Sequence, residues 1–173
     1  MNTVRKLLAQ ARGQLQATSA EPALDAEVLL AHVLRRERSW LYAWPEQVAD
    51  ADQTRIYERL ITLRSQGRPV AHLTGEREFW SLRLRVSEDT LIPRPETELL
   101  VETVLELDLP ADARVLDLGT GSGAIALALA SERADWRIIG SDRSTAALAI
   151  ARDNATAMGL SRLHWLNGDW FLS

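Results

Sequence analysis

From Arg114 to Ala130 a short apolar run ends in three glycines at alternate positions and then passes into a stretch of alanine and leucine. Arg114-Val115-Leu116-Asp117-Leu118 reads as a strand, and Ala124-Ile125-Ala126-Leu127-Ala128-Leu129-Ala130 is a good helix former. Gly119-Thr120-Gly121-Ser122-Gly123 joins them as a loop. A strand, a glycine loop and a helix N-terminus in that order form a cradle for a nucleotide-like ligand, because unpaired backbone N–H groups open the helix. The spacing then sorts the ligands. A dinucleotide fingerprint puts its third glycine three positions after the second, whereas Gly123 comes two after Gly121. A P-loop needs Gly-Lys-Ser/Thr, and this loop has no lysine. Neither motif fits.

From this loop onward the pattern alternates strand and helix. Strands are expected at Val115–Leu118, Arg137–Ser141 and Leu163–Leu166, and helices at roughly Gly123–Ser131 and Ser144–Met158, the last closed by Gly159. Such alternation implies an α/β fold with a parallel sheet and right-handed crossovers.

The first seventy residues read differently. Thr3 can cap a helix whose apolar positions are Val4, Leu7, Leu8, Ala11 and Leu15. Ser19 or Glu21 with Pro22 opens a second helix, with Leu24, Val28, Ala31 and Leu34 on one face. Trp40, Leu41 and Trp44 lie in a short segment that Pro45 breaks. Ile56, Leu60 and Leu63 line a later helix, which Gly67 and Pro69 terminate. This is a small helical bundle without a catalytic constellation. Glu78-Phe79-Trp80 and Leu82–Val86, separated by Ser81, then suggest a hairpin. Pro95 opens a further helix with Glu96 and Glu98 in its first turn and Leu100, Val104 and Leu107 on its buried face. The expected division is a helical domain over 1–72, a hairpin linker over 73–94 and an α/β domain over 95–173.

Several residues could carry chemistry. Gly119, Gly121 and Gly123 permit positive φ and a close approach of backbone N–H groups to a bound carboxylate or sugar; the alternative is a plain βα turn with no ligand. Asp142 ends the second strand 23 positions after Gly119, near the spacing at which an acidic side chain takes ribose hydroxyls. It could instead cap the next helix. Asp117 sits in an apolar strand and must be satisfied, by loop amides or by a ligand's ammonium group. Gly168-Asp169-Trp170-Phe171 follows the third strand, where Asp169 can accept from an adenine amino group and Trp170 can stack on a base. A Trp–Phe pair covering the sheet end is the competing reading. Arg94, Glu96 and Glu98, crowded beside prolines, read as a helix start with surface charge.

Composition narrows the classes. There is no cysteine, so disulfides and thiolate metal sites are out, and His32, His72 and His164 lie too far apart in sequence to suggest a metal. No apolar run approaches the roughly 18 residues of a membrane span, and the start of the chain lacks a signal-peptide pattern, as expected for a cytoplasmic protein. A net charge of −4 argues against a large electrostatic grip on nucleic acid.

The G-x-G-x-G loop resembles motif I of S-adenosylmethionine-dependent methyltransferases. Joined to Leu91-Ile92-Pro93-Arg94-Pro95-Glu96-Thr97-Glu98-Leu99-Leu100-Val101, with Phe79 and Val86 before it, it closely resembles the HemK/PrmC family of peptide chain release factor glutamine methyltransferases. The likeness spans the whole chain. It implies a Rossmann-like class I methyltransferase domain after the helical domain and hairpin, with S-adenosyl-L-methionine as cofactor and release factors as partners. By position, Gly119, Thr120, Gly121, Ser122 and Gly123 match the cofactor loop, Asp142 the ribose-binding acid and Trp170 the adenine-side residue. Arg94, Glu96 and Glu98 become second-rank candidates near the incoming glutamine, with Asp117 and Asp169 beside them. One departure is large. The family carries Asn-Pro-Pro-Tyr after the fourth strand, and no Asn-Pro dipeptide occurs here, so no catalytic residue is assigned. The chain is therefore expected to be the N-terminal part of such an enzyme and inactive alone. The alternatives are an adenine-amino nucleic-acid methyltransferase, which shares both motifs, and a non-catalytic module that docks a release factor.

Overall fold

The structure is a computed structural model and describes residues 2–170. The chain divides into two compact units, Met1–Thr74 and Gly75–Ser173.

The first unit is helical: α1 Val4–Leu15, α2 Pro22–Leu34, α3 Arg38–Ala43, α4 Ala51–Ser65 and α5 Val70–Thr74. Thr3 caps α1 by accepting from the Lys6 amide at 3.3 Å, and Asp50 with Gln53 forms a capping box on α4. All five residues expected to face inward on α1 are buried. On α2 the expected face holds at Ala31, which is buried, and at Leu34, which packs partly against the core, while the apolar buried stripe is Ala26, Leu29, Leu30 and Ala31. This helix packs against α1, α3, α4 and α5 at once, so apolar residues lie all round it and spacing alone does not pick the innermost row. On α4 the inward residues are Thr54, Tyr57 and Ile61, while Ile56 is 45% exposed. Of the expected row Leu60 packs partly against the core, and Tyr57 joins it because its hydroxyl donates to the Ala26 carbonyl at 3.1 Å, which lets the whole ring go inside.

One charge enters this core. Glu27 is 4% exposed and accepts from the guanidinium groups of Arg12 and Arg38, each at 3.0 Å, both about half-exposed. Burial works against its ionisation, but hydrogen bonds from Tyr42, Arg38 and Arg12 outweigh it and hold the carboxyl below 4.5. A depressed carboxyl stabilises the fold above its unfolded value and loses that contribution as pH falls through the folded one. The expected outcome for Glu27→Gln is therefore a loss of about 1 to 2 kcal/mol at pH 7, by urea unfolding of the helical signal, shrinking as pH falls through the lowered carboxyl range. A pH-independent difference contradicts the ion-pair assignment.

The second unit opens with an antiparallel hairpin, β1 Glu76–Phe79 and β2 Leu82–Arg85. The expected first strand ran through Trp80, but Trp80 and Ser81 form the two-residue turn, with φ of 53° and 58°. Two positive φ values match the twist of a tight hairpin. Trp80 is held there by its amide donating to Glu98 at 2.9 Å and its indole N–H to Glu132 at 2.8 Å.

A 3-10 turn, Pro95–Thr97, leads into α6 Glu98–Glu106. Its expected face holds only at Val104: Leu100 and Leu107 are exposed, and Val101 and Leu105 turn inward beside Val104. Two apolar stripes overlap in this segment, and packing against the next helix selects the one at 101, 104 and 105. The rest alternates as expected: β3 Arg114–Leu118, α7 Ala124–Glu132, β4 Arg137–Asp142, α8 Thr145–Ala157 and β5 His164–Asn167. The sheet is parallel in the order β3-β4-β5, with Asp117 opposite Gly140 and Gly140 opposite Trp165. Val115, Ile138 and Trp165 pack on one face into the core with α7. On the other face Leu116 and Leu166 are 50% and 48% exposed. Ser144 caps α8 through the Ala147 amide, and Gly159 follows it at φ +69°.

Candidate functional site

All three parallel strands end at the same edge of the sheet, where the glycine loop begins. Two amides, Gly119 N–H and Thr120 N–H, both donate to the Ser141 carbonyl at 2.9 Å, which ties the loop to the end of β4. Gly123 N–H closes back on the Thr120 carbonyl at 2.8 Å, and α7 starts there. One residue further along β4, Asp142 Oδ2 accepts from Gly121 N–H and Oδ1 from Ser144 N–H, both at 2.9 Å. The carboxylate thus faces the loop and also braces the start of α8. The cap reading of Asp142 is corrected, since Ser144 is the N-cap of α8 and Asp142 holds the Ser144 N–H from two residues before it. A carboxylate has about four acceptor sites, and two of Asp142's are used by these amides, so two remain for a ligand.

The third strand completes the rim. Asn167 donates through its side-chain amide to the carbonyls of Asp142 and Arg143, and Gly168 N–H donates to Asp142 as well. Gly119, Asp142, Arg143, Gly168, Asp169 and Trp170 line a cleft of about 230 Å³. Trp170 is largely exposed at its mouth. Phe171, its expected packing partner, lies outside the described residues.

Beneath the loop, Asp117 Oδ2 accepts from the Thr120 hydroxyl at 2.6 Å. Burial pushes the Asp117 carboxyl above its ordinary value, with the Asp142 charge acting the same way; hydrogen bonds from Thr120 and the Ala126 amide partly oppose them. Ser122 is buried, and its hydroxyl finds no partner among the described residues.

The three loop glycines do different things. Gly119 and Gly121 have φ of +75° and +57°, and a Cβ on either would meet nothing within 4 Å, so both face open space where a ligand can approach the backbone. Gly123 is a packing glycine: an added Cβ would lie 3.0 Å from the Trp165 ring and 3.2 Å from Leu127. Gly140 is tighter still, at 2.5 Å from the same ring. The Trp165 indole therefore fills the space under the loop.

Sequence reasoning missed Gly140, Trp165, Asn154 and Asn167. An isolated glycine inside a strand was an available signal for Gly140; nothing marked the other three. Of the second-rank candidates, Arg94 and Glu96 are exposed on the 3-10 turn, and Glu98 is engaged with Trp80. None of the three is among the residues lining the cleft.

Comparison with known proteins agrees with this layout. Residues 6–75 match the PrmC N-terminal domain and residues 109–172 a methyltransferase domain. A release factor glutamine methyltransferase from Shewanella oneidensis is 52% identical over 91% of this chain and 55% of that protein. Its counterpart from Escherichia coli is 51% identical over 95% of this chain and 59% of the relative. The chain is thus similar, across both matched domains, to release factor glutamine methyltransferases. It spans a little over half the length of these curated relatives and corresponds to their N-terminal part. The matched methyltransferase region contains the glycine loop, Asp142 and the whole parallel sheet.

Replacing Gly140 by alanine tests the packing beneath the loop. The Cβ must displace Trp165, and the expected cost is about 1 to 3 kcal/mol in denaturant unfolding. Unchanged stability would mean that the indole does not lie across Gly140.

Proposed function

We infer that this chain binds S-adenosyl-L-methionine through the 119–123 loop and Asp142, and that it is part of an enzyme that methylates a glutamine side-chain amide in peptide chain release factors. The observation that carries the first half is the pairing of two open-faced glycines with a carboxylate that already grips the loop. Backbone N–H groups around Thr120 suit the amino-acid end of the donor, and Asp142 suits its ribose hydroxyls. Trp170 and Asp169, at the mouth of the cleft, suit the adenine, the ring by stacking and the carboxylate by accepting from the amino group. Asp117 holds the Thr120 hydroxyl and is the candidate to accept from the donor's ammonium group.

The second half rests on the relatives, which are named for release factor glutamine methylation. When bound, the cofactor supplies an electrophilic methyl group. An amide nitrogen is a poor nucleophile, so the protein must orient it and accept its N–H hydrogens. The acceptors that would do this, in the Asn-Pro-Pro-Tyr motif, are not among these 173 residues. Arg94, Glu96 and Glu98 stay second-rank candidates on the side of the incoming glutamine. The roles that fit are release-factor recognition by the helical residues 1–72, a hairpin linker over 73–94 and a partial methyltransferase domain over 95–173. Among the described residues no helix is long and apolar enough to cross a membrane, and a release-factor substrate points to the cytoplasm.

Calorimetric titration with S-adenosyl-L-homocysteine, S-adenosyl-L-methionine and NAD tests this reading. The two sulfur ligands should bind and NAD should not, and Asp142→Ala should weaken binding at least about tenfold, the loss of one or two hydrogen bonds to a charged group. Labelled-methyl assays of this chain should show no transfer to a release factor or to DNA. Preference for NAD sinks the cofactor assignment.

A further inference from the structure

Asn154 lies in the last turn of α8, is 1% exposed, and is marked by no sequence motif. Its side chain meets two separate pieces of backbone. Oδ1 accepts from Arg85 N–H at 2.8 Å, and Nδ2 donates to the Arg85 carbonyl at 3.0 Å, so the amide pairs with the end of β2 as another peptide group would. The same Nδ2 donates to the Ser122 carbonyl at 2.9 Å. One buried carboxamide therefore joins α8, the hairpin and the glycine loop.

The site gives that bond its importance. The loop holds three residues at positive φ, a conformation that is costly to fix from an otherwise mobile chain. At its first part it is anchored by Ser141 and Asp142. At Ser122 the hydroxyl has no partner among the described residues, so the anchor from this residue to α8 and the hairpin is its carbonyl bond to Asn154. We propose that Asn154 is a positioning residue for the cofactor loop: by holding the Ser122 carbonyl against the end of the hairpin, it presets the backbone that receives the methyl donor. This rests on the cofactor reading above. It adds a dependence of donor affinity on a residue that the donor does not touch, and it couples the hairpin to the donor site.

Asn154→Asp keeps the shape and the acceptor but removes both donors, placing a carboxylate against two carbonyl oxygens. Protonating that carboxyl restores one donor, so its effect should fade as pH falls. The charged groups nearby are Asp153, paired with Arg85 at 2.8 Å, and Asp117 of β3 and Asp142 of β4, which bond the loop, all shared with the unmodified chain. Their titration cancels in the ratio of the two dissociation constants. With S-adenosyl-L-homocysteine as probe, the variant should bind about tenfold or more weakly at pH 8, and the ratio should fall toward one by about pH 5.5. A role confined to stability lowers the melting temperature and leaves affinity below it unchanged. Equal affinity at pH 8, or a ratio that stays constant with pH, overturns the proposal while leaving the cofactor reading intact. Failure of the unmodified chain to bind removes the cofactor reading instead. If the variant does not fold, the unmodified chain decides: saturating ligand should slow exchange of the Asn154 side-chain amide protons several-fold, and unchanged exchange overturns the proposal.

Discussion

The Asp142 carboxylate, shared between Gly121 N–H and Ser144 N–H, is the interaction on which the rest of the second unit depends. A loop with three positive-φ glycines has no intrinsic preference for one shape, so its conformation must be imposed from outside. The imposition comes from β4. Its Ser141 carbonyl takes two loop amides and its Asp142 carboxylate takes a third, while the same carboxylate starts α8. Strand, loop and helix are thereby locked together at the edge of the sheet where the cleft opens.

Support from below complements this. Trp165 on β5 fills the space that side chains on Gly123 and Gly140 would otherwise occupy, which lets the helix and the strand approach closely. The sheet edge is thus shaped by two kinds of glycine: Gly119 and Gly121 leave room for a ligand, while Gly123 and Gly140 leave room for an indole. Asp117, with its carboxyl pushed up by burial, holds the Thr120 hydroxyl under the loop.

Much of this was legible in the sequence because it is local. The strand–loop–helix order and the Thr3 cap follow from a few adjacent residues, and the 23-position step to Asp142 from the length of one loop–helix–strand unit. What was not legible is tertiary. The inward stripes of α2, α4 and α6 depend on how many neighbours each helix has, and apolar residues on several sides leave the phase open. Tyr57 went inside because a carbonyl on another helix accepts its hydroxyl. Asn154 and Trp165 matter only through partners 32 or more positions away and 25 or more positions away respectively, which no local pattern contains.

The most direct measurement is the crystal structure of this chain soaked with S-adenosyl-L-homocysteine. Both ribose hydroxyls should lie within hydrogen-bonding distance of the Asp142 carboxylate, with the amino-acid end over Gly119 and Gly121. A ligand seated elsewhere, leaving Asp142 with only Gly121 and Ser144 for partners, would contradict the assignment of this edge of the sheet as a methyl-donor site.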